Sequence, residues 1–190
     1  RYHGSKLEGT RIGYSYGFHM FINGNGYMLI DKKKINVEKY TLIFIRPGQV
    51  HSFYHDADVS LESYSVYFDL WMQPTDRLPR HSFHPETPNL SLMTKMEPCS
   101  ELEEIPIKTS LKPFPELVEL FLQLNNSVKN KLYKEKITNC LMYIFILNLY
   151  NSLNTKDPCD YRILQIINQM ERNPERNYSY EQWCKRCNLE

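Results

Sequence analysis

The residues with chemical potential in this 190-residue chain are its cysteines, its histidines and one pair of glycines. Cys184-Lys185-Arg186-Cys187 has the C-x2-C spacing of a zinc or dithiol site, where thiolates bind metal or exchange a disulfide. No second pair follows it, and His81 and His84 are far away in sequence. On a helix the two cysteines share the apolar face beside Trp183, which reads as core packing. His51 follows the Pro47-Gly48 turn and is one candidate metal ligand. A catalytic metal needs several such groups converging on it. The strand before Gly24 offers Tyr14, Tyr16 and Phe18 where a His-x-His pair would be needed, and alternation puts His19 on the opposite face. No metal or other cofactor is therefore expected. Gly24-Asn25-Gly26 lacks the following helix N-terminus that a phosphate loop uses. Neither a nucleophile elbow nor a kinase signature is present. With no catalytic residue in view, the chain is expected not to be an enzyme.

Composition narrows the classes further. A hydrophobic share of 42% and a charged share of 24% are those of an ordinary globular protein. The net charge is +1, so a nucleic-acid partner must be argued from motif and not from charge. The longest apolar run, Cys140 to Leu149, contains Asn148 and is far short of the roughly 20 residues needed to span a bilayer. No membrane partner is expected. Five cysteines at irregular spacing do not form a disulfide framework. With a polar opening of Arg1-Tyr2-His3-Gly4 in place of a secretion signal, they point to a cytoplasmic location.

The elements that must position these residues begin with strands. Arg11 to Ile22 alternates, with Ile12, Tyr14, Tyr16, Phe18, Met20 and Ile22 on one face and Gly13, Ser15, Gly17, His19 and Phe21 on the other. The face of Tyr14, Tyr16, Phe18 and Met20 is expected inside, either as plain core or as ligand contacts. Tyr27–Ile30 and Ile35–Val37 form a hairpin over the charged turn Asp31-Lys32-Lys33-Lys34. Leu42–Ile45 is a third run, stopped by Arg46-Pro47-Gly48, and Val50–Phe53 resumes. In Leu61–Asp69, Ser63, Ser65 and Tyr67 share a face, lining a polar cavity or facing solvent. Such short, closely spaced strands imply an antiparallel barrel or jelly roll. Leu70–Pro113 is proline-rich, with short strands expected around Leu90–Met93 and Glu104–Ile107.

Gly24-x-Gly26, the two short strands, the run Ile45-Arg46-Pro47-Gly48-Gln49-Val50-His51-Ser52-Phe53 and then Tyr64-Ser65-Val66-Tyr67-Phe68-Asp69 resemble the N-terminal cupin domain of AraC/XylS-family transcription regulators. The resemblance implies an effector-binding barrel, with sugars as the leading ligand class. By position, Phe53, Ser63 and Ser65 match places where sugar-binding members contact ligand, although serines replace larger side chains there. Arg11, Tyr14, Tyr16, Phe18, Met20, His51 and Tyr67 complete the expected ligand-binding set. Tyrosine and phenylalanine would stack on sugar faces, while Arg11 and the serines would bond hydroxyls.

Helices follow. Leu117, Leu120, Phe121 and Leu124 form a helical stripe after Pro113 and Pro115. A second helix, from about Tyr133 to Leu153, is apolar over most of its circumference and must be covered on more than one side. It is covered either by the chain's own barrel or by a second copy. In AraC-like regulators the helical pair commonly forms the dimer interface, which would place Leu141, Ile144, Phe145 and Asn148 there. Asp160–Arg172 forms an amphipathic helix. Ser179 then caps another, with Gln182 at the capping-box position.

This tail resembles the first two helices of the AraC-type helix-turn-helix domain, with Trp183-Cys184 where Leu-Ala is usual. The chain reaches Glu190 before a recognition helix, so as given it is not expected to read an operator by itself. The expected architecture is α+β: a cupin-type antiparallel β-barrel (residues 1–113), an antiparallel helical pair for dimerisation (114–155), and a truncated helix-turn-helix (156–190). The expected role is ligand sensing and homodimerisation in a bacterial regulator that binds DNA at full length. A stand-alone cupin enzyme and a ligand-free dimerisation module are the alternatives.

Overall fold

The hairpin at Asp31 closes on two residues. Asp31 and Lys32 both have positive φ (48° and 67°), the turn geometry that matches right-twisted strands. Lys33 and Lys34, expected in the turn, already belong to the second strand. The computed structural model describes residues 9–55, 61–70, 82–83 and 88–154, together with 169, 178–179, 181–182 and 185. In chain order the strands are β1 (Arg11–Gly13), β2 (Tyr16–Asn23), β3 (Gly26–Ile30), β4 (Lys33–Val37), β5 (Thr41–Ile45), β6 (Val50–His55), β7 (Glu62–Phe68), β8 (Ser82–Phe83) and β9 (Lys108–Ser110). The helices are α1 (Ser100–Glu103), α2 (Pro115–Ser127) and α3 (Lys134–Asn154).

Among the described residues, β4-β3-β6-β1-β8 form one antiparallel sheet and β7-β2-β5-β9 a second. Phe21, Ile43 and Ile45 of the second sheet share a core with Met28, Ile30, Val37 and Phe53 of the first. Every ladder lies within one sheet and none joins the two among these residues. The fold is therefore α+β, with two facing antiparallel sheets where a closed barrel was expected.

Two expectations about strands need correction. The single strand expected over Arg11–Ile22 is broken at Tyr14-Ser15, and its halves enter different sheets. The break is held in place by backbone bonds: Gly48 N–H donates to Gly13 O (3.0 Å) and Thr94 N–H to Tyr14 O (2.7 Å). Leu90–Met93, expected as a strand, holds a 3-10 turn at Leu90–Leu92, because the Asn89 side chain accepts the Ser91 N–H and offers the backbone a local alternative. The strand expected at Glu104–Ile107 does not form there; β9 begins only after it, at Lys108.

The outer face of the second sheet carries Tyr16, Phe18, Met20, Leu42 and Phe44, which form one core with Leu117, Phe121 and Leu124 of α2 and Met142, Phe145, Ile146 and Leu149 of α3. Both faces of this sheet are covered, so buried apolar side chains stand on each. The β2 assignment made from alternation is thereby inverted. Tyr16, Phe18 and Met20 face the helices, while Gly17, His19 and Phe21 face the opposite sheet. Ser127 Oγ meets Thr138 Oγ1 at 2.7 Å, and Phe121 meets Phe145 at 5.2 Å, so α2 and α3 run antiparallel.

Arg46 ties this layer to α1. Its guanidinium donates to the carbonyls of Leu102 (3.0 Å), Glu103 (3.2 Å) and Ile105 (2.8 Å) and lies over the Phe44 ring. The first two are carbonyls that the end of α1 leaves unpaired, and the third belongs to the segment that follows it. In the C-terminal segment, Ser179 Oγ accepts from Gln182 N–H (3.3 Å) and Gln182 Oε1 from Ser179 N–H (2.9 Å), a reciprocal capping box. Most of the helix expected at Asp160–Arg172, the pair Cys184 and Cys187, and the helix-turn-helix itself lie outside the described residues. No helix among the described residues is long and apolar enough to cross a membrane.

Candidate functional site

Register decides which side chains meet between the sheets. In the β2–β7 ladder Gly17 lies opposite Tyr67, His19 opposite Ser65 and Phe21 opposite Ser63. In the β1–β6 ladder Arg11 lies opposite His51. Side chains opposite one another share a face, so these two rows look across the gap between the sheets. The Arg46–Gly48 turn sets the start of β6. Gly48 takes φ 83°, Arg46 N–H donates to Gln49 Oε1 (2.7 Å), and the Asp31 carboxylate accepts Val50 N–H and Gln49 Nε2–H (3.1 Å each).

The apolar cluster between the sheets reaches two histidines through Phe53. The His19 and His51 ring centroids are 6.0 Å apart, and Phe53 presents an edge-to-face contact to each, at 5.1 and 6.1 Å. Tyr67 packs edge-to-face on His19 at 5.6 Å, and the Arg11 guanidinium lies 5.9 Å over Phe53. His19 Nδ1 and Ser65 Oγ are 2.7 Å apart, and His51 Nδ1 is 3.1 Å from Gln49 O. The Nε2 atoms of both rings are buried with no hydrogen-bond partner. Burial, with the neighbouring His51 and the Arg11 charge, lowers the His19 pKa to about 3. Burial also lowers that of His51, offset in part by its bond to the Gln49 carbonyl. Both imidazoles are therefore neutral at ordinary pH.

Of the residues expected to line a ligand site, Arg11, His51, Phe53, Ser65 and Tyr67 meet around His19 and Phe53, and Ser63 lies two residues further along β7, opposite Phe21. Tyr14 sits in the bend after β1, where its hydroxyl accepts the Asn89 N–H (3.1 Å). Tyr16, Phe18 and Met20 are in the helix-facing core and do not reach the gap. Sequence reasoning missed His19. Strict alternation from Tyr14 carried the large aromatics inward, whereas the helices outside need them more than the polar gap does. The signal was in the same strand: Gly17, His19 and Phe21 share parity with Ser63, Ser65 and Tyr67 once β2 pairs β7.

On α3, Phe145 is fully buried, edge-to-face on Phe18 (5.3 Å) and Phe121 (5.2 Å). It cannot be a dimer contact, and Leu141 is half-buried against the same core. Ile144 is 47% exposed, and the exposed Asn148 donates its amide to Ile144 O (2.8 Å). Among the described residues no group of three or more His, Cys, Asp and Glu is placed to hold a metal ion.

Comparison with known proteins adds the following. No curated protein matches the chain. Solved structures similar to it include salicylate 1,2-dioxygenase from Pseudoaminobacter salicylatoxidans in several variants. An alanine-to-histidine variant aligns with TM-score 0.32 and 14% identity, over 64% of this chain and 39% of that one. A tryptophan-to-tyrosine variant in complex with gentisate aligns with TM-score 0.30 and 11% identity, over 33% of this chain and 17% of that one. The chain thus spans well under two thirds of the length of these proteins, and at such scores the likeness assigns it no activity. These structures are of dioxygenases, and the expectation that this chain is not an enzyme is withdrawn. The model of the AraC-like ligand-binding domain matches residues 1–132, more than half of the sequence. The chain belongs to the AraC-like ligand-binding domain family.

Proposed function

We propose that this chain is the effector-sensing and dimerising part of an AraC-type transcription regulator, that its effector is a sugar or similar small molecule held between the sheets, and that the full-length protein carries the signal to DNA. One observation supports this reading above others: the second sheet has a different partner on each face. On β7, Ser63, Ser65 and Tyr67 line the gap with His19, while Val66 and Phe68 pack on the core shared with α2 and α3. A molecule that binds the gap therefore bears on the strand that carries the helical pair. It can bias the packing only through a difference in affinity between two arrangements. The second copy docks on the outer side of α3, where Ile137, Ile144 and Leu147 are exposed at helical spacing opposite the buried Phe145 and Leu149.

Sedimentation velocity at micromolar protein, with and without a panel of sugars, tests the reading. The expected result is a dimer that Ile144→Asp with Leu147→Asp converts to a monomer of unchanged thermal stability, and a sugar that raises the melting temperature. A chain that stays monomeric at every concentration overturns the dimer. A melting temperature unmoved by every small molecule tried overturns the sensing role.

A further inference from the structure

We infer that the cleft between the edge strands β4 and β9 is a binding site for a phosphomonoester, and that Lys34 and Lys108 hold its phosphate. Among the described residues β4 ends the first sheet and β9 the second. Beside them lies a cleft of about 410 Å³, whose lining includes Lys34 and Asn36 of β4, Lys108 of β9, Glu38, Tyr27 of β3 and Asn25 just before it. Clefts of a few hundred Å³ with converging polar groups are of the size that small ligands use. This one shares no residue with the site around His19 and does not rest on the sensing reading.

Its charge is unbalanced. The Glu38 carboxylate accepts from Lys112 Nζ at 2.8 Å, so those two charges answer each other. Neither Lys34 nor Lys108 has an ion pair among the described residues. Two unanswered ammonium groups line one concave site, on a chain whose net charge is only +1. A phosphomonoester carries a charge of about −1.5 to −2 at pH 7, which matches the pair, and lysine binds phosphate as a point charge. A single carboxylate would leave one ammonium unmatched.

The aromatic residue in the lining says what else the ligand can be. Lys34 Nζ lies 4.1 Å over the Tyr27 ring, and that ring stacks on Tyr54 at 4.7 Å with 6° between their planes. Because β3 runs between β4 and β6, Tyr27 is flanked by Lys34 on one side and Tyr54 on the other. The stack restricts the ammonium before an anion arrives, which lowers the ordering cost of binding. It also leaves no open ring face for a nucleobase, so the site reads a phosphate and not a base. The amides of Asn25 and Asn36 can donate to the remaining ligand oxygens.

Titration calorimetry on the whole chain tests this, with D-glucose 6-phosphate, inorganic phosphate, D-glucose and a short DNA duplex as the probes. Glucose 6-phosphate is expected to bind, to be displaced by inorganic phosphate, and to bind less tightly as salt is raised. Both lysines are exposed, so Lys34→Ala and Lys108→Ala should fold, and each should weaken that binding roughly tenfold. Glu38→Gln removes the negative charge from the cleft and frees Lys112, and it should tighten binding. Glucose 6-phosphate that binds both lysine variants as tightly as the wild type sits elsewhere and overturns the inference. Glucose binding as tightly as its phosphate also overturns it, as does binding of the duplex alone, or no binding of either phosphate compound at millimolar concentration.

Discussion

Acid should loosen this fold through His19 earlier than its carboxylates can. Folding lowers the pKa of that imidazole from 6.5 to about 3, first because the ring is buried and then because His51 and Arg11 stand near it. The unfolded chain therefore takes up a proton at His19 that the folded chain refuses. The sign follows: the contribution is fully present above about pH 6.5 and is lost progressively as pH falls toward about 3. Each pH unit in that window is worth about 1.4 kcal/mol, so the loss from about pH 6.5 to about pH 4 is roughly 3 kcal/mol. Against a typical total of about 5–15 kcal/mol this is a large share. His51 titrates with the same sign, because burial lowers its pKa too. Urea unfolding at a series of pH values measures the effect, with His19→Gln as the comparison, since carboxylates contribute equally to both proteins. The wild-type midpoint should fall more steeply with acid than that of His19→Gln. Parallel curves would refute the burial of a neutral His19 between the sheets.

Two further outcomes test the packing. Phe145→Ala should cost about 3–5 kcal/mol, because the ring is fully buried on Phe18 and Phe121 and would leave a cavity. Ile144→Ala, one residue earlier and half exposed, should cost under about 1 kcal/mol in the monomer. Equal losses on denaturation would mean that α3 does not present Phe145 to the sheet. Gly48→Ala should cost about 1–2 kcal/mol, since φ is 83° there and a Cβ strains the left-handed backbone. An unchanged melting temperature would show that the turn before His51 adopts another form.

Much of the architecture could be read from local pattern. β3, β4, β5, β6 and β7 lie within a residue or two of the runs that alternation and turn residues marked, because strands and tight turns are specified by neighbours in sequence. The Leu117–Leu124 stripe faces the core as its spacing required, and the Ser179–Gln182 capping box forms as its residues implied. The resemblance carried by Arg46–Phe53 led to the family. Strand β1 was misread because a bend at Tyr14-Ser15 costs no side-chain pattern: both halves alternate, and only the two sheets they join tell them apart.

The site itself divides along the same line. From sequence alone came the residue types: a histidine after a Pro-Gly turn, serines alternating with aromatics, and a helix with more apolar surface than one face needs. Tertiary structure decided their directions. A period of two says that Phe18 and His19 point opposite ways, but not which way is in. The helices settle it. By covering the outer face of the second sheet they draw Tyr16, Phe18 and Met20 outward and leave His19 to meet His51. They also bury Phe145 while leaving Ile144 exposed. Periodicity fixes relative orientation; only the surfaces that come to lie against a strand or helix assign its faces to core, cavity or partner.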